Sequence, residues 1–261
     1  MPNAMHIARS GLEALDAKLR TISNNLANAN TVGFKRDRAA FETLMYQTVR
    51  PAGAPAGADT RFGMGLSTGA GVRLAGNERV HSQGGFTTTD NALDLAIDGE
   101  GLFEVTMPDG RAAYTRAGAF TRNAEGRVVT AQGHALSPGI DVPENATGIT
   151  VGADGTVSAM LPGETAPSDI GRLTLVGFIN PAGLEPYGEN LFLESAASGA
   201  PQQGNPAENG LGRIRQGALE GSNVSAVQEL VDMIETQRAY EINSKVISAA
   251  DEMMRYVNQS V

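Results

Sequence analysis

Residues 5–35 read Met5-His-Ile-Ala-Arg-Ser-Gly-Leu-Glu-Ala-Leu-Asp-Ala-Lys-Leu-Arg-Thr-Ile-Ser-Asn-Asn-Leu-Ala-Asn-Ala-Asn-Thr-Val-Gly-Phe-Lys35, and this stretch sets the terms for the whole chain. Met5, Ala8, Leu12, Leu15, Leu19, Ile22 and Leu26 recur at alternating spacings of three and four. That is the seam of an amphipathic helix made to lie against another helix. Gly11 is the one unwelcome residue inside it, since glycine is a poor helix former. Asn24, Asn25, Asn28 and Asn30 crowd the exit, and Gly33 supplies a stop.

The far end of the chain mirrors this pattern. Ser222 or Asn223 is placed to cap a helix running to about Asn258. Its apolar stripe is Val227, Val231, Ile234, Ile242, Val246, Ala249, Met253 and Tyr256, with the stem of Arg238 filling the missing turn. Each stripe is narrow, and a pair of such helices still leaves apolar surface, so further copies of the chain are the natural cover.

Between the ends the pattern changes to short strands and turns. Asp94–Gly99 and Gly101–Thr106 resemble two strands joined by a Gly-rich turn. Asp109-Gly110, Glu125-Gly126 and Asp154-Gly155 each precede a further strand-like run, and Ile170–Ile179 reads as one more. With 32 Gly and only 5% aromatics, a compact all-β domain rich in turns is expected here. Residues 50–71 and 196–212 read as Pro/Gly-rich connectors.

The expected fold class is therefore α+β. Long N- and C-terminal helices form a coiled-coil-like inner layer, with an inserted all-β domain and extended β/loop connectors. The expected parts are residues 1–35 with 222–261, the assembly helices; 36–92 with 200–221, the connectors; and 93–199, the outer β domain.

Chemistry is sparse by comparison. His6, His81 and His134 lie in separate regions without metal-ligand spacing, and there is no cysteine. Gly63, Gly65, Gly69 and Gly71 lack the Lys-Ser/Thr of a phosphate loop. Asp98-Gly-Glu100 lacks the ladder of a calcium loop and reads as a turn. No catalytic residue, metal site or cofactor is expected. Lys35-Arg36-Asp37-Arg38 reads as a solvated or inter-subunit salt-bridging face. A net charge of −9 argues against nucleic acid and anionic membrane surfaces, and no apolar run is long enough for membrane insertion. The N-terminus lacks the pattern of a cleaved secretory signal.

Three stretches carry a family resemblance. Ser23–Lys35, with Asn24, Asn25, Leu26, Ala27, Asn28, Gly33, Phe34 and Lys35, resembles the N-terminal signature of the flagellar rod and hook axial proteins. Gln216–Val224 and Glu229–Asn243 resemble the junction and C-terminal helix of that family, and Asp94–Phe103 the opening of its β domain. Phe41–Arg50, the stretch after it and Glu78–Gly84 resemble the distal-rod branch, with proximal rod proteins next, while 261 residues is short for a hook protein.

The resemblance implies a structural role. It implies export through the flagellar type III apparatus without a cleaved signal, and homopolymeric assembly into a helical tube spanning the periplasm. Implied partners are proximal rod proteins, the hook protein, P-ring and L-ring proteins and a rod-capping protein. It assigns Leu12, Leu15, Leu19, Ile22 and Leu26, with Val227, Val231, Ile234, Ile242, Val246, Ala249 and Met253, to assembly. It makes Tyr46, Gln47, Arg50, Pro51, Pro55 and Phe62 candidates for a stiffening connector. A glycan-cleaving enzyme would need a paired set of carboxylates that nothing in the sequence singles out. A secreted β-rich adhesin would form a closed oligomer instead of an open-ended one.

Overall fold

The structure, a computed structural model, describes residues 2–56, 60–163 and 166–259. The chain divides into two compact units. The first takes the chain up to Ala27, Asp37–Arg79, and the chain from Ser225 onward; the second takes Asn28–Arg36 and Val80–Val224.

The first unit holds both helices, α1 (Pro2–Ala27) and α2 (Ala226–Gln259). No Gly or Pro interrupts α2, and Ala, Leu, Met, Glu, Gln and Arg favour a helix along it. Asn223 does not cap α2, because its side chain is engaged elsewhere; Ser225 supplies the carbonyl that accepts the Glu229 N–H at 3.0 Å. Near one end of the pair Asn243 on α2 donates to the Ala8 carbonyl on α1, and near the other Asn25 donates to Glu229. The helices are therefore antiparallel.

Two ribbons complete this unit. Strands β1 (Asp37–Thr43) and β4 (Val72–Arg79) pair antiparallel with a bulge at Ala40/Phe41. Strands β2 (Gln47–Arg50) and β3 (Leu66–Thr68) pair within the stretch that the sequence marked as a connector. Residues 57–59 of that connector lie outside the described residues. Opposite charges face each other across the β1–β4 ribbon: Asp37–Arg79, Arg38–Glu78 and Glu42–Arg73. Such pairs fix register more than they add stability.

The second unit is all β. Its strands are β5 (Phe86–Thr88), β6 (Leu95–Asp98), β7 (Phe103–Thr106), β8 (Ala112–Thr115), β9 (Phe120–Arg122), β10 (Val128–Thr130) and β11 (Ala135–Ser137). There follow β12 (Gly148–Val151), β13 (Thr156–Met160), β14 (Ser168–Arg172), β15 (Leu175–Gly177), β16 (Glu185–Gly188), β17 (Leu191–Leu193), β18 (Gln202–Gly204), β19 (Arg213–Gln216) and β20 (Ala218–Glu220). A seven-stranded sheet runs β16-β17-β8-β7-β11-β10-β9, beside β12-β13-β14 and the pairs β15-β18, β19-β6 and β20-β5.

Long-range pairing decides this topology. The Gly-rich turn after β6 does not make a hairpin with β7: β6 pairs β19, while β7 pairs β8 and β11. The run Ile170–Ile179 is broken into β14 and β15, which join different sheets. The stretch 196–212, anticipated as a connector, contributes β18 to this unit. Its core gathers Ile97, Phe103, Val105, Phe120, Leu136, Val157, Leu173, Leu175 and Ile214, with Phe103 and Phe120 edge to face at 5.2 Å. This close-packed apolar centre is drawn from residues of the second unit alone.

Candidate assembly surface

Each stripe of the two helices meets a different fate. On α1, Ala8, Ala14 and Ile22 are buried, and Leu12, Leu15, Leu19 and Leu26 are half-buried. On α2 the inward face is mixed: Glu229 and Thr236 are fully covered and Asn243 is half-buried, beside half-buried Met233, Ile247 and Met254. Consequently Val227, Val231, Ile234, Ile242, Val246, Ala249 and Met253 are all exposed, with Val227 at 74% and Ile242 at 64%. Within one chain the α2 stripe is therefore left without cover from α1. Gly11 lets the helices meet closely, because a Cβ there would stand 2.6 Å from the Asn243 side chain.

An exposed apolar row along a helix of 34 residues calls for cover. Full burial of one large apolar side chain is worth about 1.5–3 kcal/mol, and six are on offer beside Ala249.

A second exposed apolar region lies on the β2–β3 ribbon. Met45, Tyr46, Val49, Met64 and Leu66 stand in solvent, Tyr46 at 63% exposure. The described residues beyond the strands hold one another. The guanidinium of Arg50 sits 3.6 Å above the Phe62 ring, and Gly53 and Ala54 exchange hydrogen bonds with Phe62. Pro55 bridges to Arg61, while Gln47 and Pro51 are exposed.

The signature residues have separate structural roles in the two units. In the first, buried Asn25 brackets Asp37: its amide donates to the Asp37 carbonyl at 2.8 Å and accepts the Asp37 N–H at 2.9 Å. It also donates to Glu229 at 3.2 Å, while Asp37 holds Arg79 bidentately. Leu26 is half-buried and Ala27 closes α1. Asn24 is exposed, and Asn28 accepts from the Thr31 hydroxyl.

In the second unit, Gly33, Phe34 and Lys35 are buried. Gly33 has φ +70, and a Cβ there would lie 2.5 Å from the Ala117 nitrogen, so only glycine fits. Lys35 is not part of a solvated charge face. Its ammonium, 2% exposed, lies 2.7 Å from Glu220, whose other oxygen takes Arg116 at 2.5 Å. Gly84 N–H adds a third bond to the carboxylate. Burial on its own would raise the Glu220 carboxyl, but the Arg116 charge and the bonds from Lys35 and Gly84 hold it below the ordinary carboxylate range. Burial pushes the Lys35 ammonium down, more strongly than Glu220 lifts it. Asn223 accepts the Arg36 N–H at 2.7 Å and donates to the Val80 and Ser82 carbonyls. Glu220 and Asn223 thus do structural work that no local spacing advertised.

Among the described residues no cluster of His, Asp or Glu is arranged to hold a metal, and no helix is long and apolar enough to cross a membrane.

Comparison with known proteins agrees with this geometry. Residues 5–35 match the flagella basal body rod protein family, 96–159 the flagellar hook protein FlgE/F/G D1 domain, and 215–260 the flagellar basal body rod FlgEFG protein C-terminal family. The FlgG basal-body rod protein of Buchnera aphidicola from Acyrthosiphon pisum is 47% identical over 98% of both chains. The chain belongs to the flagellar basal-body rod protein family. FlgG of Caulobacter vibrioides is 46% identical, again over 98% of both chains, and FlgF of the same organism 36% over 98% of this chain and 96% of its own. The matched segments of this rod protein cover both helices, the signature and the opening of the β unit, which are the parts that carry the exposed stripe and the buried polar clusters.

Proposed function

We propose that the chain is a subunit of the flagellar distal rod, with a structural and not a catalytic role. Many copies polymerise into a helical tube that transmits torque from motor to hook and encloses the export channel. The observation that carries this reading is the α2 stripe: seven apolar positions of one face, from Val227 to Met253, stay exposed after the chain has folded. Similarity to FlgG at 46–47% identity over nearly the full chain supports the distal placement over the proximal one.

In this reading α2 lays its stripe against α1 of neighbouring copies, where Leu12, Leu15, Leu19 and Leu26 still have surface to bury. The helices together form a coiled-coil-like inner layer. The β2–β3 ribbon, from Tyr46 and Gln47 through Arg50, Pro51 and Pro55 to Phe62, wedges between subunits and stiffens the shaft. Proximal rod proteins and the hook protein meet its two ends, P-ring and L-ring proteins surround it, and a rod-capping protein sits at the growing tip. Subunits reach the periplasm through the flagellar type III export apparatus without a cleaved signal.

Electron microscopy of the concentrated chain beside a version trimmed to residues 28–224 tests this. Trimming there keeps Gly33 and Lys35, which the β unit needs. Tubes from the full chain alone are expected. Assembly by both versions, or by neither, would remove the terminal helices as its cause.

A further inference from the structure

With no Cys in the chain, the thioether sulfurs of its 9 Met are the groups that a mild oxidant meets first. Burial sorts them. Met107 is 4% exposed, inside the core of the β unit, and Met5, Met233 and Met254 are half-buried. Met160 and Met253 are partly open, while Met45 and Met64 stand apart at 90% and 81% exposure. Among the described large apolar side chains these two are the most exposed.

Both belong to the β2–β3 ribbon. Met45 lies two residues before β2, and Met64 two before β3. The strands are antiparallel, with Gln47 opposite Thr68 and Arg50 opposite Leu66, so one sulfur sits at each end of the ribbon. Tyr46, Val49 and Leu66 add exposed apolar surface on the same ribbon. An unbranched thioether adapts its shape to an irregular contact, which suits a surface that must fit a neighbour. The same sulfur is chemically soft, and its oxide is polar.

We propose that Met45 and Met64 are a peroxide-sensitive pair whose oxidation before assembly loosens the fit of the ribbon between copies. The oxidant is hydrogen peroxide. A sulfur lone pair attacks it, an S–O bond forms and the O–O bond breaks. Sulfur is oxidised by two electrons, and the peroxide is reduced to water, which carries off both its protons. The sulfoxide oxygen must then shed its water to enter a contact that the thioether entered freely. Oxidation therefore acts on the free subunit, and a completed contact shields both sulfurs. The oxidation site belongs to the free subunit alone, whereas the loosening rests on the wedge reading of the ribbon.

Peptide mass spectrometry of the dilute full chain after hydrogen peroxide treatment tests the site. Met45 and Met64 should each gain one oxygen at least about ten-fold faster than Met107, and equal rates would overturn the proposal. In preformed polymer the same two sulfurs should react about ten-fold more slowly than in the dilute chain. Polymers grown from subunits oxidised beforehand should lose about half of their persistence length in electron micrographs. Met45→Leu/Met64→Leu should keep its stiffness through the same treatment, because leucine fills a similar volume without the sulfur. Softening of that variant as well would assign the effect to another methionine and overturn the proposal. Unchanged stiffness with both sulfurs oxidised would overturn it too. A polymer whose Met45 and Met64 react as fast as in the dilute chain would end the wedge reading and the loosening with it, while selective oxidation of the free subunit would stand.

Discussion

Gly11 on α1 gives Asn243 on α2 the room to reach across: the Asn243 amide donates to the Ala8 carbonyl at 3.1 Å, and a Cβ on residue 11 would stand 2.6 Å from that nitrogen. Two effects therefore oppose each other in Gly11→Ala. Helix propensity favours the change by up to about 1 kcal/mol, and displacing Asn243 costs a hydrogen bond worth a similar amount. The single substitution should leave the urea midpoint of the full chain nearly unchanged or lower. In an Asn243→Ala background the clash is gone, and the same substitution should raise stability by about 0.5–1 kcal/mol. Equal effects in both backgrounds would show that the two residues are not coupled.

Glu220 holds two buried cations, so Glu220→Gln should cost the β unit about 3–5 kcal/mol in urea unfolding, since it strands both charges. The pH dependence follows in sign. The folded pKa of Glu220 lies below its ordinary value, so its contribution is fully present above the carboxylate range. It is lost as pH falls below about 4 and through the folded value. Wild type should therefore lose β-unit stability steeply in acid, by tryptophan-free probes such as near-ultraviolet circular dichroism, and Glu220→Gln should lose less. Parallel acid profiles would remove Glu220 from the explanation.

The β2–β3 ribbon supplies a prediction about stiffness. Replacing residues 51–65 by Asn-Gly closes a two-residue turn on the Arg50–Leu66 pair. The monomer should unfold at the wild-type midpoint, because Phe62 is held by Arg50, Gly53 and Ala54 of the same stretch. Polymers should still form but bend more, and their persistence length is measurable in electron micrographs. Straight polymers of unchanged stiffness would end the wedge reading.

How far the sequence disclosed all this varies by element. The two helices were legible because a three-four apolar period admits few other structures. Gly33 is not the stop that its place after the asparagines suggested: α1 ends at Ala27, and Gly33 takes its positive φ against the Ala117 backbone of the second unit. The packing face of α2 was not. Glu229, Thr236 and Asn243 lie off the apolar stripe that the sequence singles out, yet they turn inward, where α1 offers Glu229 and Asn243 the Asn25 amide and the Ala8 carbonyl as partners. The Lys35–Glu220–Arg116 cluster joins residues far apart in the chain, and the β6–β19 pairing does likewise. Local patterns record periodicity and turns, and they carry no trace of such closures.

Ile242 and Asn243 are neighbours in sequence with opposite surroundings, and that contrast gives the sharpest test of assembly. Ile242 is 64% exposed, while Asn243 faces α1 and bonds to Ala8. Ile242→Glu keeps helix propensity at a mostly exposed position, so monomer stability should stay within about 0.5 kcal/mol. Covering Ile242 in a polymer is worth about 1.5–3 kcal/mol, and a buried carboxylate there would cost more. The critical concentration for polymerisation should then rise at least ten-fold, since each 1.4 kcal/mol is about a factor of ten. Asn243→Ala should do the reverse first, lowering the monomer's urea midpoint by roughly 1–2 kcal/mol equivalent through the lost bond to Ala8. Sedimentation across a concentration series reads the polymer, and urea unfolding reads the monomer. If Ile242→Glu assembles like wild type, the exposed stripe is not the assembly surface, and the contacts that build the polymer lie on another face.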